Sequence, residues 1–180
     1  MRALRAGEWR AWISHDEHRP RPSSVHALPP FEEVVELHGP AVLRFCAAQA
    51  GADRAEDCFQ ETMIAALRAY ADLREPAAIR SWLFSIAARK AVDAHRARAR
   101  FPEPVADPEP PAVEQEPALG DGALWRDVRD LPPKQREAVA LRYVADLSHR
   151  EIAGVMGTSE AAARRNVFEG LAQLRARWAT

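Results

Sequence analysis

The feature that most constrains the fold is a pair of helix boundaries near the C-terminus, separated by a glycine. Ser148 and Glu151 have the spacing of a capping box, in which each side chain bonds a free backbone N–H where a helix begins. Gly157 stands where that helix must stop, because glycine tolerates the left-handed backbone of a tight turn, and Thr158 or Ser159 can cap the next helix. These signals predict two short helices that meet at a tight turn.

The second of these helices, predicted from about Glu160, has two different faces. Apolar residues at helical spacing form the face expected to pack against the preceding helices: Val167, Leu171, Leu174 and Trp178. Short or basic side chains lie on or near the other face and are the candidate DNA contacts: Thr158, Ser159, Ala161, Ala162, Arg164, Arg165 and Asn166. A helix fits the major groove of DNA, so the pattern indicates a DNA-binding helix-turn-helix. The alternative is a helical hairpin that binds no ligand.

Length and composition favour two small domains. The chain has 180 residues, 47% of them hydrophobic, which is enough for small helical cores. No stretch approaches the roughly 20 apolar residues of a membrane span, and the N-terminus lacks a hydrophobic signal core, so we expect a cytoplasmic protein without membrane insertion. Cys46 and Cys58 are too few for a disulfide framework, and we expect both in a core, with a redox role only a hypothesis.

Four segments are indicated by the distribution of prolines and charge. Residues 1–29 have little periodicity and are expected to be a disordered extension, while 30–100 are mostly helix-forming. Residues 101–121 are acidic and rich in proline, so they predict a flexible linker. Residues 122–180 contain the helix-turn-helix. The predicted fold class is therefore all-α, with two small helical domains joined by a linker.

Helix breaks and apolar stripes divide the first predicted domain. Breaks are expected at Gly39-Pro40, at Gly51 and around Glu75-Pro76, which leaves room for three or four helices. Two segments carry apolar stripes, formed by Phe59, Met63, Leu67 and Tyr70 and by Ile79, Trp82, Leu83 and Ile86.

No group of residues predicts catalysis or a cofactor. The chain has no glycine-rich phosphate loop and no nucleophile motif, so an enzyme is not expected. His15 and His18 have the spacing of two metal ligands, but no third ligand supports them, and no metal is expected.

Two motifs resemble one family. The run Leu131-Pro-Pro-Lys-Gln-Arg-Glu-Ala-Val-Ala-Leu-Arg-Tyr-Val144, followed by Leu147-Ser-His-Arg-Glu-Ile-Ala153, resembles region four of sigma-70-family factors of the extracytoplasmic-function (ECF) type. The run Ala55-Glu-Asp-Cys-Phe-Gln-Glu-Thr-Met63 resembles the acidic signature of their region two, and Ser81-Trp-Leu-Phe-Ser-Ile-Ala87 with Asp93 resembles its following helix.

The resemblance implies a dissociable subunit of bacterial RNA polymerase that catalyses nothing alone. Region two would engage the minus-10 promoter element and region four the minus-35 element, and an anti-sigma factor is a possible further partner. Asp57, Gln60 and Glu61 would contact core polymerase. Two alternatives stay open: a sigma-like protein-interaction module, and an operator-binding helix-turn-helix regulator without sigma activity.

Basic residues after Pro76 supply the charge that a melted promoter needs. Capturing single-stranded DNA requires cations on its phosphates, and the candidates are Arg80, Arg89, Lys90, Arg96 and Arg98. Many relatives have Asn where this chain has Arg89, so we expect an altered minus-10 preference. In region four, alanines at 161–163 leave direct base reading mainly to Arg165, for which a bidentate contact to guanine is expected.

Overall fold

All of the regular secondary structure in the described part of the chain is helical. The computed structural model describes residues 28–100 and 122–179, so the predicted linker, His15, His18 and nearly all of the predicted N-terminal extension lie outside it. Its helices are α1 (Phe31–Ala50), α2 (Ala55–Ala69), α3 (Ile79–Arg100), α4 (Gly122–Arg129), α5 (Pro133–Tyr143), α6 (His149–Met156) and α7 (Glu160–Trp178). Short 3-10 turns at Ala52–Arg54, Tyr70–Asp72 and Pro76–Ala78 connect the first three. The predicted all-α fold is confirmed.

Helices α1 to α3 form the first group around an aromatic core. Phe45 of α1 and Phe84 of α3 are fully buried and meet edge to face, with ring centroids 5.5 Å apart. Burying one such side chain contributes about 1.5 to 3 kcal/mol to folding. Tyr70 closes the end of this group, since its hydroxyl donates to the carbonyl of Pro29 at 2.6 Å and its ring contacts that of Phe31.

Helix α1 continues through the pair Gly39-Pro40, so the predicted break there is wrong. Pro40 removes one backbone hydrogen bond, at a cost of about 3 kcal/mol in an isolated helix. Burial of Val35 and Val42 on either side of the proline offsets that cost. Tertiary packing therefore outweighs the local helix-breaking signal.

Helices α4 to α7 form the second group. Leu141, Leu147 and Ile152 are its largest fully buried side chains. Helix α5 packs closely on α7 at Gly170, where an added Cβ would lie 2.7 Å from Cγ2 of Val139. The close approach of the two helices depends on this glycine.

Trp178 at the end of α7 does not pack as predicted. Its side chain is 57% exposed, and its indole N–H donates to the carboxylate of Asp127 in α4 at 2.7 Å. The other predicted members of the stripe are buried or half-buried. An indole N–H needs an acceptor, and the half-buried Asp127 carboxylate provides one.

The two groups of helices pack against each other. One hydrophobic cluster takes buried residues from both, with α3 lying against α6 and α1 against α5. Trp125 of α4 also contacts the cluster formed by Ala47 and Ala55 in the first group. None of the described helices combines the length and the apolar character needed to cross a bilayer.

Candidate functional site

The capping box at the start of α6 is formed as predicted. The hydroxyl oxygen of Ser148 accepts from the backbone N–H of Glu151 at 3.3 Å, and the backbone N–H of Ser148 donates to the Glu151 carboxylate at 2.8 Å. The Ser148 hydroxyl also donates to that carboxylate at 2.6 Å. These hydrogen bonds, first that of the hydroxyl and then that of the backbone, lower the pKa of Glu151.

The turn between α6 and α7 also agrees with the sequence signals. Gly157 adopts the left-handed conformation at φ 60° and ψ 40°. The hydroxyl oxygen of Ser159 accepts from the backbone N–H of Ala162 at 3.2 Å, so α7 begins at Glu160. The capping box, the glycine and the Ser159 cap therefore determine where the two helices of the helix-turn-helix begin and end.

The first turns of α7 present the predicted DNA contacts unevenly. Thr158, Ser159, Ala161, Arg164 and Arg165 are exposed, whereas Ala162 and Asn166 are half-buried. The guanidinium of Arg164 pairs with Glu160 at 3.1 Å, one turn earlier on the helix. Arg165 makes no ion pair with any other residue in the described ranges. It is the cation on this face most available to a ligand.

The predicted polymerase face lies on α2. Asp57 and Glu61 are exposed, and Gln60 is half-buried. The Glu61 carboxylate pairs with the ammonium of Lys90 at 3.3 Å. Glu61 is predicted to contact polymerase and Lys90 to contact DNA phosphate. Binding of either partner would therefore compete with this ion pair.

The predicted phosphate contacts of α3 do not form one patch. At about 100° per residue, Arg89 and Arg96 share one side of the helix and Arg80 lies opposite. Arg80, Arg89 and Arg96 are exposed, and Lys90 is half-buried. Arg98 belongs to α3, but its side chain is outside the described part of the structure. The Nε–H of Arg89 donates to the carbonyl of Ser85 at 3.1 Å, which holds this side chain along its own helix.

Asp146, which the sequence reasoning missed, connects the two groups of helices. Its carboxylate lies 3.6 Å from the guanidinium groups of both Arg80 in α3 and Arg142 in α5. Its backbone has φ 50°, the left-handed region that Asp tolerates better than most residues. The only signal for it in the sequence was an Asp shortly before the capping box.

A cleft of about 430 Å³ lies beside this contact, between α1, α3 and α6. Leu37, His38, Ile79, Arg80 and Glu151 line part of its wall. Burial, and secondly the charge of Arg80, lower the pKa of His38. In the ranges 28–100 and 122–179, no group of three or more His, Cys, Asp or Glu side chains is placed to hold a metal ion.

Comparison with known proteins assigns both groups of helices. Residues 34–101 match the family model "Sigma-70 region 2", and residues 122–174 match "Sigma-70, region 4". The chain is 33% identical over 162 residues to the ECF RNA polymerase sigma factor SigD of Mycobacterium tuberculosis, covering 79% of this chain and 74% of that protein. This chain belongs to the ECF sigma factors of the sigma-70 family.

Other sigma factors agree with this assignment. RNA polymerase sigma factor CarQ of Myxococcus xanthus is 33% identical over 152 residues, covering 81% of this chain and 87% of CarQ. The fold matches that of the sigma factor RpoE from Bartonella quintana, solved in complex with the anti-sigma factor NepR. That likeness has a TM-score of 0.65 and 24% identity, and covers 81% of this chain and 94% of the other.

Proposed function

We propose that this ECF sigma factor binds core RNA polymerase through the exposed face of α2 and directs it to promoters through α3 and α7. The observation that carries the proposal is the pairing of a region-two match at 34–101 with a capped helix-turn-helix in the region-four match at 122–174. Its action is binding and positioning, without a chemical step of its own. Its place of action is the cytoplasm, where bacterial polymerase transcribes.

The α2 face supplies the polymerase contact. Asp57, Gln60 and Glu61 form a polar, acidic surface on one side of a helix whose other side is buried at Cys58 and Thr62. Carboxylates on a rigid helix give electrostatic complementarity to a basic partner surface, which favours both specificity and association rate.

The α7 face supplies upstream recognition. Arg165 is exposed near the start of the helix and has the donor geometry to bind guanine N7 and O6 in the major groove. Ala161 leaves room for contact with a thymine methyl group, and Arg164 contacts phosphate once it leaves Glu160. We therefore expect a minus-35 element in which one guanine dominates.

Promoter binding requires the two helical groups to separate. Elements about 25 base pairs apart lie roughly 85 Å apart on B-form DNA, at about 3.4 Å per base pair. Helices α3 and α6 are in direct contact here, and the Asp146 carboxylate lies 3.6 Å from the Arg80 guanidinium. The segment 101–121 has about 20 residues and extends to at most roughly 70 Å, so the helical groups at its two ends must cover the remaining distance. The packed arrangement is therefore the state before promoter engagement.

A protein partner that favours the packed state would restrain this sigma factor. The RpoE structure from Bartonella quintana contains an anti-sigma factor, and its fold resembles that of this chain. We extend that kind of partner to this chain as part of the proposal.

Run-off transcription from a genomic promoter library tests the proposal. The full chain is mixed with bacterial core polymerase, and a known sigma factor is run in parallel. The expected result is a set of start sites that share two spaced upstream elements. Binding to polymerase without specific transcripts would reject promoter selection, and absence of binding would reject the polymerase contact itself.

A further inference from the structure

The cleft between α1, α3 and α6 has an apolar wall that is partly exposed. Val34 and Ile79, which are buried, form part of that wall, and Leu37 beside them is 73% exposed. Among the residues that the structure describes, no other large hydrophobic side chain is as exposed as Leu37. The cleft volume of about 430 Å³ lies within the usual range of ligand pockets, about 300 to 1,000 Å³. The cleft therefore has room for a few apolar side chains.

The charged groups of the cleft favour an occupant that is both aromatic and basic. Arg80 lies on its wall, and an arginine guanidinium attracts the face of an aromatic ring. Glu33 lines the same cleft and Glu32 adjoins it, and both are exposed, so the edge along α1 is acidic. The carboxylate of Glu151, also on the wall, is held in the capping box by Ser148.

The chain enters the described structure at this cleft. Pro29 lines the wall, and the Tyr70 hydroxyl donates to the Pro29 carbonyl at 2.6 Å, which fixes the backbone there. Leu28 packs against the hydrophobic core. Residues 1–27 lie outside the described part of the chain. They are tethered at the cleft, and a tethered ligand has an effective concentration on the order of 1 mM.

The tethered segment contains a stretch with the chemistry that the cleft favours. Trp9, Trp12 and Ile13 supply aromatic and aliphatic side chains, and Arg10 lies between the two tryptophans. Residues 1–13 include three arginines and one glutamate, so this part of the segment is basic. About 15 residues separate the stretch from the cleft wall, and they span up to roughly 50 Å when extended. The tether is therefore long enough for the stretch to reach any part of the cleft.

We propose that residues 9–13 bind in this cleft and compete there with promoter DNA. An indole ring packs on Leu37 and stacks on the Arg80 guanidinium, while Arg10 faces the acidic edge of α1. Arg80 is one of the residues assigned to DNA phosphate, so the bound segment covers it. Because Glu151 of the second helical group also lines the cleft, the segment contacts both groups and favours their packed arrangement. The competition rests on the proposed function, whereas the docking does not.

Photo-cross-linking from the cleft wall tests the docking. The full chain carries Leu37→p-benzoylphenylalanine, and the control carries the same change at Phe168, which is 67% exposed on α7 and does not line the cleft. A mixture of nitrogen-15-labelled and unlabelled chains separates bonds within one chain from bonds between copies. Cross-links from position 37 to residues 9–13 of the same chain are expected, with none from position 168. Cross-links that miss residues 9–13, or that join only separate copies, would overturn the docking.

Affinity for a duplex carrying a promoter mapped by run-off transcription tests the competition. The variant Trp9→Ala, Trp12→Ala keeps the net charge and is expected to bind this duplex about fivefold more tightly or better. Leu37→Ala removes the opposing surface and should give a similar gain, and combining it with the tryptophan substitutions should add little. The control Ser23→Ala, Ser24→Ala, in the same segment, should bind as the wild type does.

Three results would contradict this account of the segment. Unchanged affinity in the tryptophan variant, or a gain that adds fully to that of Leu37→Ala, would overturn the competition. An equal gain in the serine control would also overturn it, because neither serine belongs to the docking stretch. Failure of every variant to bind DNA specifically would reject the proposed function and the competition with it, whereas the cross-links decide the docking alone.

Discussion

The two helical groups use cations differently. In the first group Lys90 is paired with Glu61 and Arg80 with Asp146, so each of these two residues assigned to DNA phosphates already has a carboxylate partner. In the second group Arg165 is exposed and has no ion pair to another described residue. We infer that Arg165 can meet DNA without opening an ion pair, whereas Lys90 and Arg80 must first leave their carboxylate partners.

The helices of the two groups are also stabilised differently. Helices α1 and α3 have 20 and 22 residues and bury large aromatic side chains, and α1 has no side-chain cap. Helix α6 has 8 residues and relies on a complete capping box. A short helix buries less apolar surface, so its free N–H groups matter more to its stability.

Removing the α2 surface should have the largest effect. The double variant Gln60→Ala, Glu61→Ala is expected to weaken binding to core polymerase by about 2 kcal/mol or more, because central interface residues dominate affinity. Folding should be little changed, since an exposed ion pair such as Glu61 with Lys90 contributes about 0 to 1 kcal/mol. Fluorescence anisotropy with labelled protein measures the affinity. Asp72→Ala, which removes an exposed carboxylate elsewhere in the same group, should bind normally, and equal loss in both would contradict the assignment.

Two glycines of the second group should respond in opposite directions. Gly170→Ala forces a Cβ to within 2.7 Å of Val139 and is expected to destabilise folding by about 1 to 3 kcal/mol. Gly154→Ala in α6 meets nothing within 4 Å and should stabilise by about 0.5 to 1 kcal/mol. Thermal denaturation measures both. Because the two helical groups share a hydrophobic cluster, each substitution should shift a single unfolding transition of the whole protein. If only part of that transition shifted, the two groups would unfold independently.

The capping box should make the second group sensitive to Ser148. Ser148→Ala is expected to destabilise folding by about 1 kcal/mol, since the first turn of α6 loses its cap. The pKa of Glu151 is lowered in the folded protein, so its contribution is present at neutral pH and is lost as pH falls through that lower pKa. The variant should therefore lose less stability than the wild type on acidification in denaturant titrations. Ser85→Ala, in the interior of α3, serves as the control, and equal effects would argue against the cap.

Releasing Arg80 should have the smallest effect. Asp146→Asn keeps a side chain that tolerates φ 50° and removes the charge facing Arg80. Affinity for a promoter duplex is expected to rise by less than about 1 kcal/mol, because the pair is exposed. Asp130→Asn changes the net charge equally but breaks a pair with Arg177 inside the second group. If both variants gain equally in electrophoretic mobility shift assays, net charge rather than contact between the groups is responsible.

The local signals of the second group were readable in the sequence, whereas contacts between distant segments were not. Ser148, Gly157 and Ser159 act within a few residues of themselves, so their spacing predicted the helix boundaries. Pro40 led to a wrong prediction of a helix break, because the packing that tolerates the proline comes from residues distant in sequence. The pairing of Arg80 with Asp146 spans 66 positions, and no local pattern announces it. The family motif indicated the α2 surface, but not its ion pair with Lys90.

The central claim is that α7 reads the upstream promoter element and the first helical group the downstream one. Mapping of start sites with wild type, Arg165→Ala and Arg175→Ala tests it most directly. Core polymerase transcribes a promoter library with each protein, and aligned start sites give the two elements. The prediction is that Arg165→Ala alone relaxes guanine preference in the upstream element, by about 1 to 3 kcal/mol of discrimination, and leaves the downstream element unchanged. Arg175, exposed at the far end of α7, provides the matched control. An upstream element unchanged by Arg165→Ala, or a change confined to the downstream element, would contradict the account.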